Sequence, residues 1–221
     1  MLLSLSLPIV MAASVFAVTV PMVAAPTAGP AGFNVTSLDF LGTGCPPGTT
    51  YYVLNAERTA LTVSFSEFYV EIGPGIPISR NRKACQLSLG VSVPPGFTFA
   101  ISSVDYRGYY QLDSKVKVIH SMVCYFKGEL VQDTAQSEVV GPLEGTEYTW
   151  RDTFDLGLGP TIQAPCGSST VLNVNSNIRI NNSANPEGQG YLATNCFDPS
   201  LVIPMHIRPS IFSGSGAEVD D

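Results

Sequence analysis

The polar and aromatic chemistry of the chain is concentrated in residues 105–113, DYRGYYQLD, where acids, a guanidinium and tyrosines surround one glycine. Such a set could stack a sugar ring on a phenol and hold its hydroxyls with charged side chains. Strand alternation puts Asp105, Arg107, Tyr109, Gln111 and Asp113 on one face, and Tyr106, Tyr110 and Leu112 on the other with Gly108 between them. Asp105, Arg107, Tyr109 and Asp113 are therefore the candidate ligand contacts. The competing reading is structural: Arg107 pairs with a neighbouring carboxylate, Gly108 makes a bend, and the stretch is an exposed polar rim. No second polar cluster converges on it in the sequence, which favours the structural reading.

Other chemistry is weaker. Glycoside hydrolysis needs two carboxylates facing each other across the substrate, one with a raised pKa. Asp105, Asp113, Asp152, Asp155, Glu67 and Glu71 are available, but nothing in their spacing pairs any two of them. GxSxG, HExxH and a glycine-rich phosphate loop are all missing from the sequence. His120 is in phase with Val116, Val118, Met122, Cys124 and Phe126 and reads as a core residue, while His206 opposes the final apolar stripe. Two histidines so placed make a poor metal site, so no metal and no cofactor is expected. An oxidative copper enzyme acting on polysaccharide would need a histidine at the mature N-terminus. The residues after the apolar leader are Pro, Thr, Ala and Gly instead.

Charge and leader narrow the class further. A net charge of −7 with 13% charged residues leaves too few cations to line a row of phosphates, which excludes nucleic acid as a partner. No charged side chain precedes Asp39. Residues 1–25 read as a secretory signal peptide, 26–37 as a short linker, 38–208 as a single domain and 209–221 as a disordered acidic tail. The expected product is extracellular, with no stable membrane insertion once the leader is cleaved. Cys45, Cys85, Cys124, Cys166 and Cys196 contain no CxxC pair, so disulfides are expected, with one thiol left over. Asn34 and Asn181 head glycosylation sequons.

The elements that must position these groups are strands. Leu87, Leu89, Val91 and Val93 alternate with Gln86, Ser88, Gly90 and Ser92. Leu172, Val174, Ile178 and Ile180 alternate with Asn173, Asn175, Asn177 and Arg179, and Leu201, Ile203, Met205 and Ile207 repeat the pattern. That is the signature of antiparallel sheets with one wet face. The apolar phase slips at Ser66–Glu67 and again at Ser102–Ser103, which predicts a bulge or a crossing between sheets at each place. With turn chemistry at GTGCPPGT, GPGIP, PPG and NPEGQG, the reading is an all-β, single antiparallel β-sandwich, jelly-roll or Ig-like, with disulfides.

In order along the chain, GTGCPPGT, TALTVSFSEF, GPG, RKACQ, PPGFTF, DYRGYYQLD, YFKG, APCGSS and LNVNSNIRI resemble the fungal secreted family of domain of unknown function 4360, from about Leu38 to Ile180. The resemblance implies a secreted, disulfide-bonded β-sandwich and brings no activity with it. It also implies a bridge between Cys45 and Cys85, whose 40-residue loop would stabilise the fold by roughly 4 kcal/mol. The family's next cysteine corresponds to Cys166. Because the chain ends in HIRPSIF where the family has a further cysteine, Cys196 is the substitute partner, with Cys124 left as a buried free thiol. The resulting expectation is a non-catalytic binding or interaction protein that meets a cell-wall polysaccharide or a host surface protein. The alternatives are a polysaccharide-active hydrolase and a purely structural secreted protein.

Overall fold

The computed structural model describes residues 30–56, 61–153 and 163–202. The leader 1–25, the tail 209–221, Asp155, Ile203, Met205, His206 and Ile207 lie outside the described residues. The strands are β1 (Asn34–Leu41), β2 (Thr50–Leu54), β3 (Leu61–Phe65), β4 (Tyr69–Ile72), β5 (Arg82–Ser92) and β6 (Ala100–Leu112). They continue with β7 (Lys117–Phe126), β8 (Gln132–Val140), β9 (Leu143–Thr153), β10 (Ser169–Asn181) and β11 (Gly190–Val202). A 3-10 turn, Ile78–Arg80, follows β4. Among the described residues no helix is long and apolar enough to cross a membrane.

All pairings are antiparallel and make two sheets, one of five strands in the order β1-β5-β10-β7-β8 and one of six in the order β2-β3-β11-β6-β9, with β4 also on β11. The alternation read in the sequence explains why the sheets stack. β5 and β10 turn Leu89, Val91, Val174 and Ile178 inward, and they meet Val63, Val70, Val104 and Leu192 of the other sheet in one core. Non-directional burial of these faces holds an antiparallel β-sandwich together.

Both phase slips have a physical origin. At Ser66–Glu67 the chain leaves β3 and re-enters as β4, and both strands pair with β11. At Ser102 the register slips, because Ser103 faces Ser200 while Ile101 faces Leu201. The first strand begins at Asn34, inside the stretch expected to be a linker.

Cys45 and Cys85 are bonded, with Cα atoms 5.5 Å apart, which ties the loop after β1 to β5. The expected second bridge is corrected: Cys166 and Cys196 are both free thiols. Cys196 sits on β11 opposite Arg107, whereas Cys166 follows Ala164, which bonds Phe99 just before β6 begins. From Ala100 to Arg107 the strand covers roughly 23 Å at about 3.3 Å per residue. A disulfide needs Cα atoms under about 7 Å apart. Cys124 is free and buried.

Candidate functional site

Residues 105–112 of the DYRGYYQLD stretch lie on β6, one strand in from the β9 edge of the six-stranded sheet, with β11 on its other side. At Gly108 the register with β11 slips, because Gly108 faces Thr194 while Arg107 faces Cys196. Gly108 is needed because a Cβ there would stand 1.9 Å from the Ala193 carbonyl oxygen and 2.8 Å from the Tyr148 hydroxyl. The glycine therefore permits close approach of strands. Tyr106 and Tyr110 face inward as alternation demands. Tyr106 meets His120 at 4.2 Å between ring centroids, and Tyr110 stacks on Tyr148 at 5.4 Å.

Two of the four candidate contacts on the outer face are engaged in ion pairs. Asp105 accepts from Arg151 Nε and Nη2, each at 2.6 Å, and that guanidinium holds its carboxyl below the usual carboxylate range. Arg107 donates to Asp198 on β11. Asp113, just past the strand, accepts from the Gln189 backbone N–H at 2.8 Å and ties the end of β6 to the turn before β11.

Tyr109 has a different environment. Register places Tyr109, Ala193 and Tyr69 in one row across β6, β11 and β4, with Gln111, Tyr191 and Glu71 in the next. Ala193 is small, so the Tyr191 ring comes within 6.4 Å of the Tyr109 ring and 5.8 Å of the Tyr69 ring. The three phenols form a half-exposed shelf on the outer face. Its far end is braced by Arg80, which donates to the Tyr69 hydroxyl at 2.7 Å and lies 3.2 Å from Glu71, and by Lys83, 5.6 Å from the Tyr69 ring centroid. Beside the shelf opens a pocket of about 230 Å³ lined by Tyr191, Glu71, Gln111, Asp113, Gln189 and Ile76.

Sequence reasoning found Tyr109 and missed Tyr69 and Tyr191. The outward phase of β4 and β11 was available as a signal, but nothing local says that these strands are neighbours of β6. Rings presented edge to edge beside amides and carboxylates suit stacking on a sugar face with hydrogen bonds to its hydroxyls. Two of the carboxylates weighed for hydrolysis, Glu71 and Asp113, line the pocket beside the shelf, Glu71 paired with Arg80 and Asp113 accepting from the Gln189 N–H. Among the described residues the one carboxyl raised by desolvation is Asp152, which shares the inward phase of Tyr148 on β9. No group of three or more metal-ligating side chains occurs among the described residues.

The sequons lie at opposite ends of the five-stranded sheet. Asn34 is exposed at the start of β1, and Asn181 ends β10 with its Oδ1 accepting from the Ser183 N–H at 2.7 Å.

The class is thus an antiparallel β-sandwich with one disulfide and an aromatic shelf on an outer sheet face. The chain belongs to the family described as a domain of unknown function (DUF4360), whose profile matches residues 31–208. A protein of the fungus Arthroderma benhamiae described as an uncharacterized secreted protein is 33% identical over 175 residues, covering 79% of this chain and 70% of that one. Like it, the chain is a secreted protein. Among solved structures, TmCBM61 in complex with β-1,4-galactotriose is 12% identical with a TM-score of 0.30, covering 76% of this chain and 90% of its own. A CBM4 structure is 10% identical with a TM-score of 0.21, covering 76% and 86%. At such TM-scores neither likeness carries a fold or a ligand over to this chain.

Proposed function

We propose that the protein is a secreted, non-catalytic binding protein whose Tyr109–Tyr191–Tyr69 shelf takes a cell-wall polysaccharide. The alignment of three outward rings across β6, β11 and β4 carries the reading. A sugar stacks its C–H face on such rings, while Gln111, Gln189 and the carboxylates of the adjoining pocket accept and donate hydrogen bonds to hydroxyls. Burial, with the neighbouring Tyr69 and Glu71, raises the Tyr191 phenol pKa, so it stays a neutral donor and acceptor at ordinary pH.

The test is retention on insoluble chitin, β-glucan and cellulose, with reducing ends assayed in the same tubes. Wild type is expected to bind at least one polymer without releasing product, and Tyr191→Ala and Tyr109→Ala each to weaken retention about tenfold at unchanged melting temperature. Equal retention of wild type and both variants removes the shelf from the site. Release of reducing ends replaces the binding reading with a hydrolase. Wild type that binds none of the polymers leaves a host surface protein or a structural role.

A further inference from the structure

Acids outnumber bases in this chain 18 to 11, yet one end of the sandwich carries bases with few acids beside them. There β5 begins at Arg82, β10 ends at Asn181 and β7 begins at Lys117. Arg82 and Arg179 are both exposed and face each other directly across the β5–β10 pair, on the same side of the sheet. Like charges so placed repel and cost stability. Arg82 donates to the Asn177 Oδ1 at 3.4 Å, an uncharged acceptor, and Arg179 has no hydrogen-bond or ion-pair partner among the described residues. Asp39 of edge strand β1 stands opposite Ser88, about 20 Å along β5 from Arg82 at about 3.3 Å per residue.

Two clefts meet at Arg179, with Asn181 and Ser183 lining both. One, of about 270 Å³, adds Lys115 and Lys117, and the other, of about 490 Å³, adds Arg82. No carboxylate lines either cleft. Lys117 is paired with Glu138 at 2.7 Å, which leaves Lys115, Arg82 and Arg179 as cations without an acid among the described residues. Lys115 is held at φ +64°, a conformation that L side chains rarely adopt, in the turn that the Val116 N–H closes on the Asp113 carbonyl at 3.0 Å. That turn is tied to the one before β11, because Asn185 donates to the Ser114 carbonyl at 2.9 Å. A cleft lined by one sign of charge concentrates its field and draws a counter-ion. Guanidinium forks match the oxygens of a tetrahedral oxyanion, and three cations without acids suit a dianion better than a single carboxylate. The Asn181 NH2 and the Ser183 hydroxyl add neutral donors beside them. We infer that this end of the sandwich is an oxyanion site that takes a phosphate or sulfate group, free or as an ester, between Arg82 and Arg179, with Lys115 on the far side of Arg179. The site uses none of the shelf residues, so it stands or falls separately from the proposed function.

Asn181 heads a sequon, so the protein is made without glycan, by export to a bacterial periplasm where the Cys45–Cys85 bond can form. The experiment is titration calorimetry at low ionic strength with inorganic phosphate, inorganic sulfate, glucose 6-phosphate and acetate. Wild type is expected to bind phosphate or sulfate at least about tenfold more tightly than acetate. Arg82→Gln and Arg179→Gln should each weaken that binding about tenfold at a melting temperature no lower than that of wild type, since each relieves the repulsion. Lys115→Gly suits the left-handed backbone and should weaken binding about threefold with no loss of melting temperature, so it serves if an arginine variant fails to fold. Lys127→Gln, just past the opposite end of β7, is the control and should change nothing. Glucose 6-phosphate bound more tightly than inorganic phosphate assigns the site to an ester, and the reverse order assigns it to the free anion. A wild type that binds neither phosphate nor sulfate overturns the inference. So does acetate bound as tightly as phosphate, and so does a loss in Lys127→Gln as large as in Arg179→Gln, which leaves only diffuse surface charge.

Discussion

Arg107 donates to Asp198 across the β6–β11 pair and to neither acid of its own stretch. The Arg107 side chain is 54% exposed and that of Asp198 21%. A pair so placed is screened by solvent and contributes about 0.5–1 kcal/mol, less than a desolvated partner would. Arg107→Ala is expected to lower the melting temperature slightly, with the loss shrinking in high salt. Thermal melts at two salt concentrations check this, and a loss above about 2 kcal/mol would show that the pair belongs to a tighter network.

Gly108→Ala is expected to be far more damaging. The new Cβ meets the Ala193 carbonyl of β11 and the Tyr148 ring, whose hydroxyl is already bonded to Thr194 at 2.8 Å. Backbone on one side and a buried bonded phenol on the other leave little room to yield. A cost of about 3 kcal/mol is expected. Chemical denaturation would show it, and a wild-type midpoint would mean that β6 and β11 separate cheaply.

The cysteines should separate by reactivity. Burial, with Asp133 and Asp152 nearby, pushes the Cys124 thiol up to about 12, whereas Cys166 is exposed. Alkylation of the native protein at mildly alkaline pH should label Cys166 first and Cys124 only after unfolding. Peptide maps without reduction should contain Cys45 joined to Cys85 and no Cys166–Cys196 peptide. Replacing Cys45 and Cys85 by Ser should cost roughly 4 kcal/mol for a separation of 40 residues.

Stability should fall in mild acid through His120. Desolvation lowers its pKa from 6.5 to about 4, and its Nδ1 is buried without a partner. The unfolded chain therefore takes up this proton first. The contribution is complete above pH 6.5 and is lost as pH falls toward 4, up to roughly 3 kcal/mol. Asp152, raised by desolvation, acts in the opposite sense, so the difference between wild type and His120→Gln isolates the imidazole. Identical pH profiles for the two proteins would contradict the assignment.

Expression in a fungal host should give a secreted product with glycan on Asn34 or Asn181. Intact mass of protein from the medium, before and after glycan removal, is the measurement. Asn34→Gln and Asn181→Gln together should abolish the difference, and an unglycosylated wild type would contradict the expectation.

How far the sequence reached follows from which forces are local. Alternation with a period of two is written in neighbouring residues, so the faces of β5 and β10, the slips at Ser66–Glu67 and Ser102–Ser103, and the outward phase of Asp105, Arg107 and Tyr109 were legible. Resemblance to the family supplied the Cys45–Cys85 bridge. Strand order and register were not legible, because they arise from burial and hydrogen bonding between segments far apart in the chain. Tyr109 finds Tyr191 and Tyr69 only because β11 lies between β6 and β4. Arg107 finds Asp198 across 91 residues for the same reason. Long-range pairing also put Cys166 and Cys196 at distant points on the sandwich and made Gly108 a point of close approach between strands. The sequence by itself determined which side chains face out. The tertiary structure decided which of them meet.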